Sequence, residues 1–278
     1  RDSSTSRGLG DVYKRQGLVG NVSLPDGTVV DGTNAAKVLM HDVYWNYPVE
    51  ESDGIFASVA SAAFDKVLGG IGDVDVTKLV SAVERGAEEG RLIAWMRNDD
   101  EQNAIKETGI DASLPDPDDP SADPVAGVYF NNLSFSKLDW YLNADTQIGQ
   151  GVKNGDGTCS YRITVTLTNI MTQEEAGKLP DYVAASAPDA ARDDERLNVS
   201  LFAPTGGNIT DLTVEGTQFG LGAATWHGIP FYSGTVDLHA GETTTITYTL
   251  TTSAEAGDKP LTLRQTPTCQ AARDSASA

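Results

Sequence analysis

An α/β segment followed by an all-β antiparallel sandwich is the fold class that three features of the sequence predict. Apolar residues recur at helical spacing between Ala35 and Gly90. From Cys159 onward they alternate at period two with hydroxyl-bearing residues. Between these regimes, Gly151 to Gly157 is a polar, glycine-rich linker. The expected organisation is a foreign or disordered tail over 1–16, a partial α/β domain over 17–150, the linker 151–157, a sandwich over 158–270 and a disordered tail over 271–278. A chain of 278 residues, 39% of them apolar, is long enough to bury two cores.

The elements follow in order. Val19 to Val30 alternates weakly around Pro25-Asp-Gly27, a good turn, so a surface hairpin is expected. Thr33 or Asn34 can cap a helix from Ala35 to about Asn46, stopped by Pro48. Ser52 or Asp53 is expected to cap the next helix, whose apolar positions run from Ile55 to Leu68 before Gly69-Gly70. A third helix should start near Asp75 and end at Gly90. Arg91-Leu-Ile-Ala-Trp-Met-Arg97 is a short, nearly continuous apolar run with strand character. Asp99 then opens a short helix closed by Gly109. Four prolines and four aspartates between Leu114 and Pro124 exclude helix or ladder there. That spacing lacks the glycine and terminal glutamate of a calcium loop, so a solvated loop is expected.

In the second half, strands are predicted over Cys159–Thr168, Leu197–Ala203, Ile209–Val214, Phe231–Leu238, Thr245–Thr251 and Leu261–Leu263, with glycine, proline and asparagine at the turns. Cys159 opens the first of them and Cys269 follows the last. An even pair at the two ends of a sandwich predicts a disulfide and an oxidising, extracytoplasmic setting. Two independent buried thiols are the alternative.

Forty acidic against twenty basic residues give a net charge of −20. So acidic a chain repels nucleic acid and anionic membrane, and neither is expected as a partner. No apolar run is long enough to span a bilayer, and no signal peptide is visible. The first sixteen residues carry four of the twenty basic residues and no amphipathic period. They resemble a translated adaptor of the kind found at the ends of metagenomic reading frames, so the protein proper is expected to start near Gly17 as a truncated fragment.

The densest mix of aromatic, amide and charged side chains lies in Gly127-Val-Tyr-Phe-Asn-Asn-Leu-Ser-Phe-Ser-Lys-Leu-Asp-Trp-Tyr-Leu142. Lys137 and Asp139, two apart, would share a strand face and could pair or hold a ligand. His41 and Asp42, adjacent on a helix, point about 100° apart, so a surface histidine is expected rather than a base pair. His227 and His239 lack metal-ligand neighbours, so no metal is expected. No elbow or Cys/His pair marks a covalent nucleophile, and no catalytic residue is assigned.

Several stretches together resemble an uncharacterised actinobacterial envelope family, domain of unknown function 4012. They are Asp31-Gly-Thr-Asn-Ala-Ala36 leading into Asp42-Val-Tyr44, Phe56 to Phe64, Arg91-Leu-Ile-Ala-Trp95, Gly127-Val-Tyr129, Asn131-Asn132 and Ser136-Lys-Leu-Asp-Trp-Tyr-Leu142. The resemblance implies a secreted cell-envelope protein held by an N-terminal membrane anchor that would precede this fragment. The first domain is similar, more distantly, to the LytR–CpsA–Psr phosphotransferases, which attach glycans from polyprenyl-pyrophosphate donors. That similarity implies a LytR–CpsA–Psr-like α/β domain, a lipid-linked or cell-wall glycan as partner, and magnesium only if there is transfer. In those enzymes a helix comparable to Ala35–Trp45 presents arginines, whose planar fork suits phosphate. Here His41-Asp-Val-Tyr-Trp-Asn-Tyr47 has none, which argues against transfer by this fragment. The ligand-binding residues implied are Tyr44, Asp53, Arg91, Lys137 and Asp139. The function expected is handling of a polyprenyl-linked or phosphorylated glycan; the alternative is a non-catalytic extracellular scaffold or adhesion module.

Overall fold

The computed structural model describes residues 21–24, 26–69, 76–108, 110–111, 115–215 and 221–270. The expected tails, 1–16 and 271–278, lie outside the described residues. The chain divides into two compact units, residues 1–92 and 93–278.

In the first unit the expected hairpin forms from Val22–Ser23 (β1) and Val29–Val30 (β2), paired antiparallel. Gly27 takes a φ of 87° in its turn, and Asp26 Oδ1 accepts the Thr28 N–H at 2.8 Å. Asp31 then organises the helix entry: its Oδ1 accepts the Thr33 N–H at 2.7 Å, and its carbonyl accepts the Ala35 N–H at 2.9 Å. The expected helix to Asn46 is present as Ala35–Lys37, a π-helical turn over Val38–Asp42, and Val43–Asn46. The next helix, Val49–Gly69, starts directly after Pro48, three to four residues before the expected cap. Proline is pre-set for a helix entry, so Pro48 starts the second helix as well as stopping the first. Val76–Glu88 is the third. Leu24, Val30, Val38, Val43, Ile55 and Val59 form this unit's core. The strand expected over 91–97 does not form. Leu92, Ile93, Trp95 and Met96 are exposed, and the Ala94 N–H bonds to the Ile110 carbonyl rather than to a ladder.

The second unit opens with the helix Asp99–Thr108, capped by Asn98 Oδ1, which accepts the Asp100 and Glu101 N–H groups at 3.0 and 3.2 Å. Among the described residues its strands are Val125–Asn132 (β3), Leu142–Ile148 (β4), Val152–Lys153 (β5), Cys159–Asn169 (β6), Glu195–Phe202 (β7), Asn208–Glu215 (β8), Gly222–Trp226 (β9), Ile229–Leu238 (β10), Thr243–Thr251 (β11) and Thr262–Gln265 (β12). They build two sheets, ordered β12-β3-β7-β10-β9 and β4-β6-β11-β8, with β5 alongside β6. Every pairing is antiparallel except β12 with β3. Val128, Leu197, Val199, Leu201, Val236 and Leu238 of the first sheet share a core with Ile163, Val165, Leu167, Ile246, Tyr248 and Leu250 of the second. Thr164, Thr166 and Thr168 on β6 and Thr245, Thr247 and Thr249 on β11 alternate with these residues and point outward, whereas Thr244 is buried.

The helical region followed by antiparallel sheets is therefore present, but the expected boundary at 150 is displaced. β3 and β4 belong to the sandwich, one in each sheet. Their inward residues Ala126, Val128, Leu142 and Ala144 are buried in its core, so the sandwich cannot close without them. The aspartate–proline segment is the expected loop, and it docks on the sandwich: Thr205 Oγ1 donates to the Asp116 carbonyl at 3.0 Å, and Lys259 Nζ to the Ser121 carbonyl at 2.7 Å.

Tyr248 sits at the centre of the core, fully buried, with no hydrogen-bond partner for its hydroxyl. A buried unsatisfied hydroxyl destabilises by about 1 kcal/mol or more. Tyr248→Phe should therefore raise the urea unfolding midpoint, by about 1 kcal/mol in stability. A midpoint well below wild type would show that the hydroxyl is bonded in solution.

Candidate functional site

The residues expected to bind ligand are placed as follows. In the first unit, the Tyr44 ring packs 5.6 Å from that of Phe56, Asp53 is exposed on the helix Val49–Gly69, and Arg91 Nε pairs with Glu89 Oε2 at 2.7 Å. In the second, Lys137 and Asp139 lie not on a strand but at the 3₁₀ turn Leu138–Tyr141 between β3 and β4. The Lys137 ammonium sits 5.9 Å from the Tyr182 ring, and Asp139 is exposed.

The two cysteines are not brought together, which corrects the expected disulfide. Both are partly buried and no bond joins them. Cys159 begins β6, opposite Lys153, and lines a cavity of about 320 Å³ with Tyr161, Lys153 and Lys259. Cys269 lies at the far end. β12 runs parallel to β3, and the Gln270 amide donates to the Trp140 carbonyl at 2.6 Å, beside the Asn169 end of β6. The eleven residues of β6 separate those ends by roughly 30 Å, whereas a disulfide needs Cα atoms within about 7 Å.

The chain crosses from one sheet to the other between Asn132 and Leu142, and Asn132 holds that crossing. Its Oδ1 accepts the Ser134 N–H at 2.8 Å and the Ser134 hydroxyl at 2.7 Å, while its Nδ2 donates to Glu195 Oε1 at 3.3 Å. The Ser134 carbonyl accepts the Ser186 and Ala187 N–H groups, and the Val183 carbonyl accepts that of Lys137, so the 170–194 loop is fastened over the crossing. Beneath it Glu195 is fully buried, with Oε2 unpartnered. Burial pushes its carboxyl well above the usual range, and the charges of Asp139 and Asp194 add to the rise.

The outer face of the first sheet gathers the side chains that sequence reasoning missed. Strand register sets Gly127, Phe202, Phe231 and Ala224 in one row, and Tyr129, Ser200, Ser233 and Gly222 in the next. Phe202 and Phe231 stack with centroids 4.6 Å apart, and Tyr129 meets Phe202 edge-on at 5.7 Å. Gly127 permits this arrangement: a Cβ there would lie 2.8 Å from Tyr129 Cε2 and 3.0 Å from Phe202 Cβ. A hydroxyl and amide band follows, in which Ser200 and Ser233 lie 3.0 Å apart and the Ser233 hydroxyl donates to Asn198 Oδ1 at 3.0 Å. Beyond it, Arg196 binds Asp237 through two nitrogens, at 2.7 and 3.3 Å, and Asp194 at 3.3 Å. Burial raises the Tyr129 hydroxyl pKa and, with Asp237 nearby, that of Asp194. The whole is a half-buried aromatic strip bordered by neutral and then charged hydrogen-bonding groups.

Among the described residues no group of three or more His, Cys, Asp and Glu side chains is placed to hold a metal ion, and no helix is long and apolar enough to cross a membrane. No family model and no curated protein matches the chain. Among solved structures, one described as a candidate nutrient binding protein of Legionella pneumophila aligns at 10% identity over 48% of this chain and 45% of that one, with a TM-score of 0.25. A likeness of that size carries no argument about fold or ligand.

The folded-state pKa of Glu195 lies above the unfolded value of about 4.3, so its contribution to stability is present below that value and lost as pH rises through the folded one. Glu195→Gln should thus match wild type in acid and unfold later than wild type at neutral and alkaline pH. Parallel urea titrations across pH decide it; a variant as pH-sensitive as wild type would contradict the assignment.

Proposed function

We propose that this chain is part of a cell-envelope protein, acting outside the cytoplasm, whose sandwich binds the sugar portion of a polyprenyl-linked or phosphorylated glycan without turning it over. One observation carries the reading: the Tyr129–Phe202–Phe231 strip borders a band of Asn and Ser groups on an outer sheet face. A pyranose ring presents C–H faces that pack on aromatic rings and hydroxyls at its rim that need hydrogen-bonding partners. An apolar floor with a few placed polar groups is the usual composition of a small-molecule site. Gly127, Tyr129 and Asn131, from the stretches that resemble domain of unknown function 4012, lie in register with Phe202, Ser200 and Asn198 on this face, which supports the envelope assignment.

The finer likeness of the first unit to the LytR–CpsA–Psr phosphotransferases belongs to the same proposal. On that reading Tyr44, Asp53 and Arg91 would serve a phosphate group within the first unit, and magnesium would enter only with transfer. The second reading, a scaffold or adhesion module, is favoured by the threonine rows on the opposite sheet. Thr164, Thr166 and Thr168 lie across from Thr247, Thr245 and Thr243, forming a polar surface with no aromatic platform.

Calorimetric titration of the full chain with cell-wall glycan fragments and polyprenyl-phosphate-linked sugars tests the proposal. Binding is expected for fragments that share the sugar, with or without the lipid. Phe231→Ala should weaken it roughly tenfold, the loss of about 1.4 kcal/mol for one stacking ring. Gly127→Ala should also weaken it, by displacing the Tyr129 ring. Binding that survives both changes would move the site elsewhere, and no binding to any fragment would leave the scaffold reading in front.

A further inference from the structure

Among the described residues, the orders of the two sandwich sheets leave four open edges: β12 and β9 on the first sheet, the β4/β5 line and β8 on the second. Three carry features that stop a β edge from pairing with another chain. β8 has a register shift, with Asp211 at a φ of 53°, and ends on Glu215. The β4/β5 line is interrupted between Ile148 and Val152 and carries Asp145 and Lys153. β12 is four residues long, lies between Pro260 and Pro267, and carries Arg264. β9 has none of these. Gly222-Ala-Ala-Thr-Trp226 holds no charge, no proline and no register shift, and all five residues are exposed.

The turn after β9 determines which backbone groups are open. His227 and Gly228 both have positive φ, 48° and 84°, as a two-residue type I′ hairpin requires. Trp226 and Ile229 flank that turn as a hydrogen-bonded pair, so the alternation of an antiparallel ladder bonds Ala224 to Phe231 and Gly222 to Ser233. The N–H and C=O of Ala223 and Thr225 therefore point away from β10, toward the open edge.

We propose that β9 pairs antiparallel with β9 of a second copy of this chain, about a two-fold axis at Ala224. In that register Ala223 faces Thr225 of the second copy, and all the open backbone groups on both strands find partners. Gly222 then faces Trp226 of the second copy, so an indole lies across a glycine and shields the backbone it leaves bare. There is room for it: a Cβ on Gly222 would meet only the Ser233 carbonyl, at 3.7 Å. Charge favours the same place. With a net charge of −20 per chain, two copies meet at least cost where neither presents an ionised group. A five-residue strand spans only about 17 Å, so the contact falls below the roughly 1,200 Å² of a stable interface. The dimer is accordingly weak and concentration-dependent. A two-fold axis normal to the sheet keeps outer faces on one side, so the second copy's Trp226 joins the edge of the aromatic face. The pairing itself rests on the edge and not on any ligand.

Sedimentation velocity of the full chain from low to high micromolar concentration tests the pairing, with Thr225→Pro and Ala224→Lys alongside. Thr225→Pro removes an outward N–H without touching a bond to β10, and Ala224→Lys sets two like charges opposite one another. The wild type should shift from monomer to dimer, and both variants should stay monomeric at the wild-type unfolding temperature. Should Thr225→Pro unfold early, Ala224→Lys decides alone. A wild type that is monomeric throughout overturns the proposal, as does a dimer that persists in the variants, which would place the contact on another surface.

Discussion

Two sheets that share one core need a chain that passes between them, and in this protein the first such passage is held by a single amide. Asn132 closes β3, turns the backbone through Ser134 and reaches Glu195 at the start of β7. It lets β3 sit between β12 and β7 in one sheet while β4 edges the other, and it gives the 170–194 loop an anchoring carbonyl at Ser134. It also leaves a carboxyl buried under that loop with one oxygen unpartnered. The same strand that ends in Asn132 presents Gly127 and Tyr129 on its outer face, so the crossing and the proposed sugar face are two ends of one β-strand.

The sandwich strands were legible because a half-buried strand writes its face into every second residue. Cys159 to Thr168 and Thr245 to Thr251 do this without interruption, and both were found. β9 was not, because Gly-Ala-Ala-Thr-Trp has no alternation to read and exists as a strand only through its pairing with β10. The run from Arg91 to Arg97 failed in the opposite sense. It has the composition of a buried strand, but a strand is a pairing rather than a composition, and there it makes no ladder. The expected boundary at 150 failed because β3 is rich in aromatics and amides and its burial comes from partners 65 to 137 residues downstream, while β4 alternates too weakly to be read apart from its partner β6.

The two cysteines show the same limit. Position at the first and last strands in sequence suggested proximity, but proximity in a sandwich follows sheet order and direction. The parallel pairing of β12 with β3 carries Cys269 to the end of the sandwich opposite Cys159. The proposed site is likewise non-local. Tyr129, Phe202 and Phe231 are spread over a hundred residues, and no spacing rule connects them. Two hints were present in the sequence: a glycine two residues before a tyrosine in a strand, and phenylalanines at the ends of two strands that pair. Each is too common to be read alone.

The claim that a sugar lies on the outer face of the first sheet is tested most directly by amide and side-chain NMR of the full chain during titration with cell-wall glycan fragments. The account predicts saturable shifts on Tyr129, Asn198, Ser200, Phe202, Phe231 and Ser233, with the threonine rows of β6 and β11 unmoved. Shifts confined to the threonine rows or to the first unit, with the aromatic strip unchanged, would contradict it.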